Sequence, residues 1–278
     1  MTPITEGKAF EGRTKAIVLA AGRGGRLSGV TGDHPKCLAR VGSWTLVERQ
    51  LATLRSCGLD DITVVVGYHA ADVLRVCGPG VGFVHNARFA STNSLYSLWL
   101  ARDLLADGCV VLNCDVLFHP QLLVDLLTAR YEDALLVAGR GDEVYHDEEM
   151  KVRIRGGRVV DIAKTIDPAG ADGENIGVAK FGRSGAAMLV EELSRLVDAA
   201  AVHEWLPAAF NAFCRRRPLW AVDSRGFPWI EIDFPEDYWR ACSEVLPAIE
   251  ALDDSRSHPP AAGREVTNAV SGRTAHHV

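Results

Sequence analysis

Between residues 15 and 38 a short apolar run breaks into a glycine- and arginine-rich loop, and this stretch constrains the fold more than any other. Ala16 to Ala20 is uninterrupted and apolar, the mark of a strand buried on both faces. It gives way at once to Ala21, Gly22, Gly24 and Gly25. A backbone with such small side chains can pass close to a ligand, and its successive N–H groups can converge on an anion. Arg23 and Arg26 add two guanidinium groups suited to phosphate oxygens, and Lys36 follows the stiff Pro35 near the same mouth. A triphosphate site at the carboxyl end of a strand accounts for all of these residues together.

Other glycine loops fit less well. A dinucleotide-binding turn, G-x-G-x-x-G, would need glycine where Leu27 stands, and the next apolar run, Ile62 to Gly67, ends in Tyr68-His69 rather than in an acid for a ribose. The G-x-x-x-x-G-K-[ST] pattern is absent. A plain surface turn leaves the ordered Arg and Pro-Lys set unexplained.

Leu19-Ala-Ala-Gly-Arg-Gly-Gly-Arg-Leu27 with Pro35-Lys36 resembles the signature of the nucleotidyltransferases that activate small phosphorylated molecules with nucleoside triphosphates. Thr92 to Leu98, Asn113 to Val116, Met150 to Val152 and Trp229 to Asp233 are similar to the branch containing phosphocholine and phosphonate cytidylyltransferases. The resemblance runs from about residue 14 to about residue 245. It implies a Rossmann-like α/β nucleotidyltransferase with a mostly parallel central sheet, helices on both faces and a small β-hairpin insertion.

The order of elements agrees. Thr45-Leu-Val-Glu48 reads as a capping box, and the helix after it stops near Gly58. Ile62 to Gly67, Val81 to His85, Cys109 to Cys114 and Ala134 to Gly139 read as buried strands between helices, a βαβ rhythm that places ligands at strand carboxyl ends. A helix over 92–105 buries Leu95, Leu98 and Trp99, with Asn93 and Tyr96 at its amino end. Gly156-Gly157 joins the two arms of a hairpin, and Gly141 to Glu149 before it reads as a solvated acidic loop. Helices over 184–198 and 201–214 follow, and a last helix from Pro235 should bend at Pro247. The expected organisation is an N-terminal extension over 1–13 and one domain over 14–252, with an acceptor-side β insertion over 140–181. A polar, disordered tail follows over 253–278.

A net charge of −6 argues against a nucleic-acid-binding surface, and positive charge is concentrated at the glycine loop and around residues 151–164. Seven scattered cysteines without a C-x-x-C pair, no secretory segment and no run of membrane-spanning length give the expectation of a cytoplasmic chain with reduced thiols.

The resemblance implies CTP and a small phosphorylated or phosphonate substrate as partners, with Mg²⁺ as cofactor; a homodimer is compatible with it. Arg26 and the Gly22–Gly25 amides, with Arg23, take the triphosphate, and Lys36 takes the α-phosphate. Leu19, Ala20, Ala21, the Gly67-Tyr68 turn and Asn93 belong to the nucleotide site. Asp115 follows an apolar strand, where a carboxylate can hold a hard cation without being buried unpaired, and Asp233 is its counterpart. Lys151 clamps the acceptor's anionic group. Tyr96, Arg140, Lys164, Glu174, Trp229 and Glu231 are acceptor-side candidates, with Glu231 one alternation from Asp233 and so a potential further metal ligand. Choline would call for aromatic faces and a carboxylate, a phosphonate for further cations. Ser94, Asn175 and Phe234 depart from the phosphocholine pattern, which tilts the expectation to a phosphonate. The alternatives are a sugar-1-phosphate nucleotidyltransferase, or a catalytically silent ligand-sensing protein of the same fold.

Overall fold

The computed structural model describes residues 14–140, 145 and 148–257. The N-terminal extension over 1–13, most of the acidic stretch over 141–149 and the tail from 258 onward lie outside the described residues. A nine-stranded sheet runs in the spatial order Gly82–His85, Ile62–Val66, Lys15–Ala20, Cys109–Asn113, Gly173–Phe181, Ala134–Gly139, Leu219–Asp223, Arg158–Ala163 and Lys151–Arg155. The first four strands are parallel. Gly173–Phe181 is antiparallel to both neighbours and also pairs with Lys151–Arg155, so the sheet is mixed. The hairpin expected as an insertion continues the sheet instead of standing apart from it, because Arg158–Ala163 hydrogen-bonds to Leu219–Asp223.

Along Lys15–Ala20 the side chains alternate between two apolar layers. Ile17 and Leu19 face one with Leu95, Leu98, Leu189 and Phe213, while Ala16, Val18 and Ala20 face the other with Val47, Leu51, Leu122 and Leu126. From this central strand the chain adds two strands to one side and then crosses to Cys109–Asn113 on the other. The reversal opens a crevice at the carboxyl ends of Lys15–Ala20 and Cys109–Asn113, the usual ligand position in such sheets.

A third apolar cluster fastens the C-terminal segment over one side of that crevice. Leu27, Val41, Leu46 and Leu117 meet Ile230, Ile232, Ala241, Leu246 and Ile249 there. Trp229–Glu231 pairs with Val116–Phe118, and the Ile232 N–H donates to the Asp115 carbonyl at 3.0 Å. Just ahead of Pro247, where a bend is expected, the helix widens into a π turn over Ala241–Val245, next to the proline that cannot supply an N–H. The last helix runs to Ser257, past the expected start of the tail at 253, and the helix expected over 201–214 starts only at Pro207. The predicted helix over 92–105 is split into Ser94–Leu100 and a 3-10 turn at Arg102–Leu104. Among the described residues no helix is long and apolar enough to cross a membrane.

The capping box forms as the sequence predicts. The Thr45 N–H and hydroxyl donate to the Glu48 carboxylate at 2.8 and 2.7 Å, and the Glu48 N–H returns to the Thr45 hydroxyl oxygen at 3.3 Å. Thr45→Ala should therefore lower unfolding stability by about 1 kcal/mol. Urea denaturation checks this: the midpoint should fall while the denaturant slope stays unchanged.

Candidate active site

The crevice encloses a cavity of about 310 Å³ between the glycine loop, the Asn113–Asp115 turn and the Glu231–Asp233 segment. Gly24 has φ +64°, and a side chain there would lie 2.6 Å from the Lys36 Cβ, so glycine at this position lets the loop rest on the lysine. Lys36 is largely buried and donates to Asp115 Oδ2 at 3.1 Å and to Asp233 Oδ1. Arg26 donates to Asp233 Oδ2 at 2.7 Å and to Glu148 Oε2 at 2.9 Å, and its guanidinium lies over the Phe234 ring at 4.7 Å. Lys164 reaches the same Glu148 oxygen at 2.9 Å. Cations that could take phosphate oxygens are thus held on carboxylates of the same cavity.

Three parts of the chain converge to build this. Gln50, buried in the Leu46–Ser56 helix, donates to the Asn113 and Val116 carbonyls at 2.8 and 3.0 Å and so braces the turn carrying Asp115. Asp237 accepts the N–H groups of Asp233 and Phe234 at 3.0 and 2.9 Å, fixing the turn after Glu231. On the far wall the buried Asn86 amide donates to Thr92 Oγ1 at 3.0 Å and Ser97 Oγ at 3.1 Å, orienting two hydroxyl-bearing side chains of the lining.

Asp115, Glu231 and Asp233 bring carboxylate oxygens within 4.8 Å of one another. Asp115 Oδ1 is buried without a hydrogen-bond partner among the described residues. Burial, with repulsion from Asp115 and Asp233, pushes the Glu231 carboxyl well above the usual carboxylate range. For Lys36, burial opposes the charge, but Asp115 and Asp233 outweigh it and hold the ammonium above its ordinary pKa. A crowded, oxygen-only donor set with one orphaned oxygen and one reluctant acid fits a hard divalent cation such as Mg²⁺.

The cavity is lined by Leu19, Ala21, Gly22, Gly24, Gly25, Arg26, Lys36, Asn93, Asp115, Lys164, Glu231 and Asp233, all expected from the sequence. Asn93 caps the Ser94–Leu100 helix by accepting the Ser94 N–H at 2.8 Å. Ala20 does not line it, because strand alternation turns it into the opposite layer. Gly67, Tyr68 and Arg23 stand at the rim. The Tyr68 N–H donates to the Ala21 carbonyl at 3.0 Å, and Arg23 lies over the Tyr68 ring at 5.3 Å.

The acceptor-side expectations need correction. Lys151 is fully buried, and its ammonium donates to the Glu149 carbonyl at 3.3 Å; of the acceptor-side cations expected from the sequence, Lys164 lines the cavity beside Arg26 and Lys36. Glu174 lies opposite Lys151 in the register, is absent from the cavity lining, and its charge adds to the upward push on the Glu231 carboxyl. Tyr96 is stacked on Trp99 at 5.4 Å, with Arg88 over its other side at 5.2 Å, and belongs to the packing. Arg140 donates to the Ala169 carbonyl at 3.0 Å, which ties down a turn outside the cavity. Trp229 shares the strand face of Glu231 but packs on the second apolar layer. Thr92, Ser97 and Met150 line the cavity from the stretches that carry the resemblance, without having been singled out within them, and Phe89, Glu148 and Pro207 line it with no pattern in the sequence to mark them.

A family model for the MobA-like NTP transferase domain matches residues 16–269. The chain belongs to that family. It is 34% identical over 230 residues to a bifunctional IPC transferase and DIPP synthase of Rubrobacter xylanophilus, covering 80% of this chain and 50% of the relative. It is 38% identical over 119 residues to a choline-phosphate cytidylyltransferase of Streptococcus pneumoniae, covering 42% and 52%. The solved inositol-1-phosphate CTP transferase from T. maritima superposes with a TM-score of 0.70 at 25% identity, over 87% of this chain and 98% of that one. The chain spans about half the length of the curated relatives it matches.

The Glu231 environment of this MobA-like domain yields a pH test. Its folded pKa is raised above the unfolded value of about 4.5, so the native state binds more protons and stability falls as pH rises through that range. Glu231→Gln keeps the shape and removes the charge. In metal- and ligand-free protein its melting temperature should exceed that of wild type by about 2–4 °C at high pH, with the gap closing toward pH 4.5. A pH series of melting curves checks the sign.

Proposed function

We propose that this chain is a CTP-dependent cytidylyltransferase that joins CMP to an oxygen of a small phosphate or phosphonate and releases pyrophosphate. One observation carries the reading: Lys36 is clamped between Asp115 and Asp233 at the sheet's reversal point, under the Gly22–Gly25 loop. The acceptor oxygen is already ionised at neutral pH, the second pKa of a phosphate being about 6, so no general base is needed. What remains is positioning and neutralisation of charge during in-line displacement. Arg26 and the loop N–H groups bind the triphosphate. Lys36 stabilises charge on the α-phosphate as the bond to pyrophosphate breaks. Asp115, Asp233 and Glu231 would hold Mg²⁺, which when bound neutralises phosphate charge and orients the chain of phosphates.

Lys164 takes the place first expected of Lys151, facing the acceptor's anionic group. The aromatic acceptor-side candidates Tyr96 and Trp229 are committed to packing, and the Lys164 ammonium lies 5.6 Å from the centre of the Trp205 ring. Beside the apolar Phe89, Met150, Trp205 and Pro207, the wall offers the hydrogen-bonding groups Thr92, Asn93, Ser94, Ser97 and Asn175, and the Trp205 ring is faced by the Lys164 cation rather than by a carboxylate that would complete a choline cage. This favours a compact phosphonate over phosphocholine. The same groups suit a hydroxylated phosphate ester, which keeps a sugar- or polyol-1-phosphate as the second reading.

Pyrophosphate release with Mg²⁺, each nucleoside triphosphate, and 2-aminoethylphosphonate, phosphocholine, inositol 1-phosphate or glucose 1-phosphate tests both parts. CTP should be preferred, and phosphocholine should be a poor acceptor; faster turnover with UTP or dTTP and glucose 1-phosphate rejects the cytidylyl assignment. Lys36→Ala should lower kcat about a hundredfold, the size of one lost transition-state contact, with little change in the KM for CTP. A change below about threefold in kcat/KM removes Lys36 from the chemistry.

A further inference from the structure

Outside the cavity, on the arm that leads from the glycine loop to Lys36, a second group of ligating side chains converges. His34 Nδ1 and His69 Nδ1 both face Asp72 Oδ2, at 3.7 and 3.0 Å. The three donor atoms lie within 4.8 Å of one another, and the two imidazole rings stand edge to face with centroids 6.1 Å apart. His34 comes from the loop before Pro35, while His69 and Asp72 come from the start of the Ala70–Cys77 helix. The activity proposed above uses none of these three side chains.

We propose that His34, His69 and Asp72 form a binding site for a borderline divalent transition metal of the Zn²⁺ class, distinct from the all-oxygen site at Asp115. Two imidazole nitrogens and one carboxylate select Zn²⁺, Co²⁺, Ni²⁺ or Cu²⁺ over Mg²⁺. Four-coordinate Zn²⁺ holds donors about 2 Å away and so about 3.3 Å from one another, close to the separations already present. Rotation of exposed side chains, His34 in particular, closes the remainder. The partners behind the donors fit as well. His69 Nε2 lies 3.5 Å from Asp33 Oδ2, the carboxylate–imidazole–metal order that fixes the ring and raises its basicity. Arg75 donates to Asp72 Oδ1 at 2.5 Å, leaving Oδ2 for the ion. His69 has φ +46°, in the left-handed region that histidine, like asparagine and aspartate, enters more readily than most residues, and it caps the helix start from there with Nδ1 beside Asp72. Because Lys36 follows His34 by two residues, a bound ion would staple the segment ending in Lys36 to the Ala70–Cys77 helix.

The test titrates Zn²⁺, and separately Co²⁺, into the full chain with reduced thiols and excess Mg²⁺. All proteins carry His276→Ala and His277→Ala, which removes an adjacent histidine pair of the C-terminal sequence. Wild-type site residues are compared with His34→Ala and with His69→Asn, asparagine being tolerant of the left-handed backbone. Binding of one equivalent, saturating below about 100 µM free Zn²⁺ and weakened about tenfold or more by each variant, is the expected result. Bound Co²⁺ should show visible d–d bands without thiolate charge transfer. Failure to saturate in that range, binding that either variant leaves unchanged, or a thiolate spectrum overturns the proposal. None of these readouts depends on the nucleotidyl-transfer reading.

Discussion

The site depends on one buried ammonium shared by two carboxylates. Lys36 would cost several kcal/mol to bury alone, and Asp115 and Asp233 would repel each other without it. Together they form a unit in which each charge justifies the others. Asp115 and Asp233 are 118 residues apart in sequence, so the unit needs the C-terminal segment to be laid across the sheet end. The pairing of Trp229–Glu231 with Val116–Phe118 does this, backed by the apolar cluster around Leu27, Ile232 and Leu246. Packing there positions charge here.

Around that unit the cavity neutralises itself. Arg26 spans Asp233 and Glu148, and Lys164 shares Glu148. Glu148 is held below the usual carboxylate range by Lys164 first and Arg26 second. These outer pairs are half exposed, so each is worth little to folding and can be exchanged at small cost for phosphate oxygens. Lys36 is different, being desolvated, and its charge is fixed before any ligand arrives. The contrast divides the cations into exchangeable ligand contacts and one preorganised contact.

Much of this was legible in the sequence because local physics set it. The apolar run into Ala21-Gly22, the Thr45–Glu48 box and the Asp after Asn113-Cys114 each follow from a pattern of a few residues, and each has its predicted place. The misassignments came where register decides. Lys151 opens a strand and is fully buried, while Lys164 stands in the turn just past the paired strand and lines the cavity, and neither placement shows before the Ala163–Lys151 pairing is known. Tyr96 and Arg140 carry suitable chemistry, but Trp99, Arg88 and the Ala169 carbonyl had the nearer claim on them. Gln50 braces a backbone turn far away in sequence and Asn86 two hydroxyls of the segment that follows it, and a lone buried amide gives no signal before the fold is known.

On the proposed function, the carboxylates around Lys36 would admit a triphosphate only together with a divalent cation. Without it, Asp115, Glu231 and Asp233 face the incoming phosphates and keep Lys36 and Arg26 to themselves. The most direct measurement is calorimetric titration of CTP into the protein with Mg²⁺ and with EDTA. Binding should be saturable with Mg²⁺ and weaker by about tenfold or more, roughly 1.4 kcal/mol, with EDTA. Equal affinity under the two conditions would contradict it.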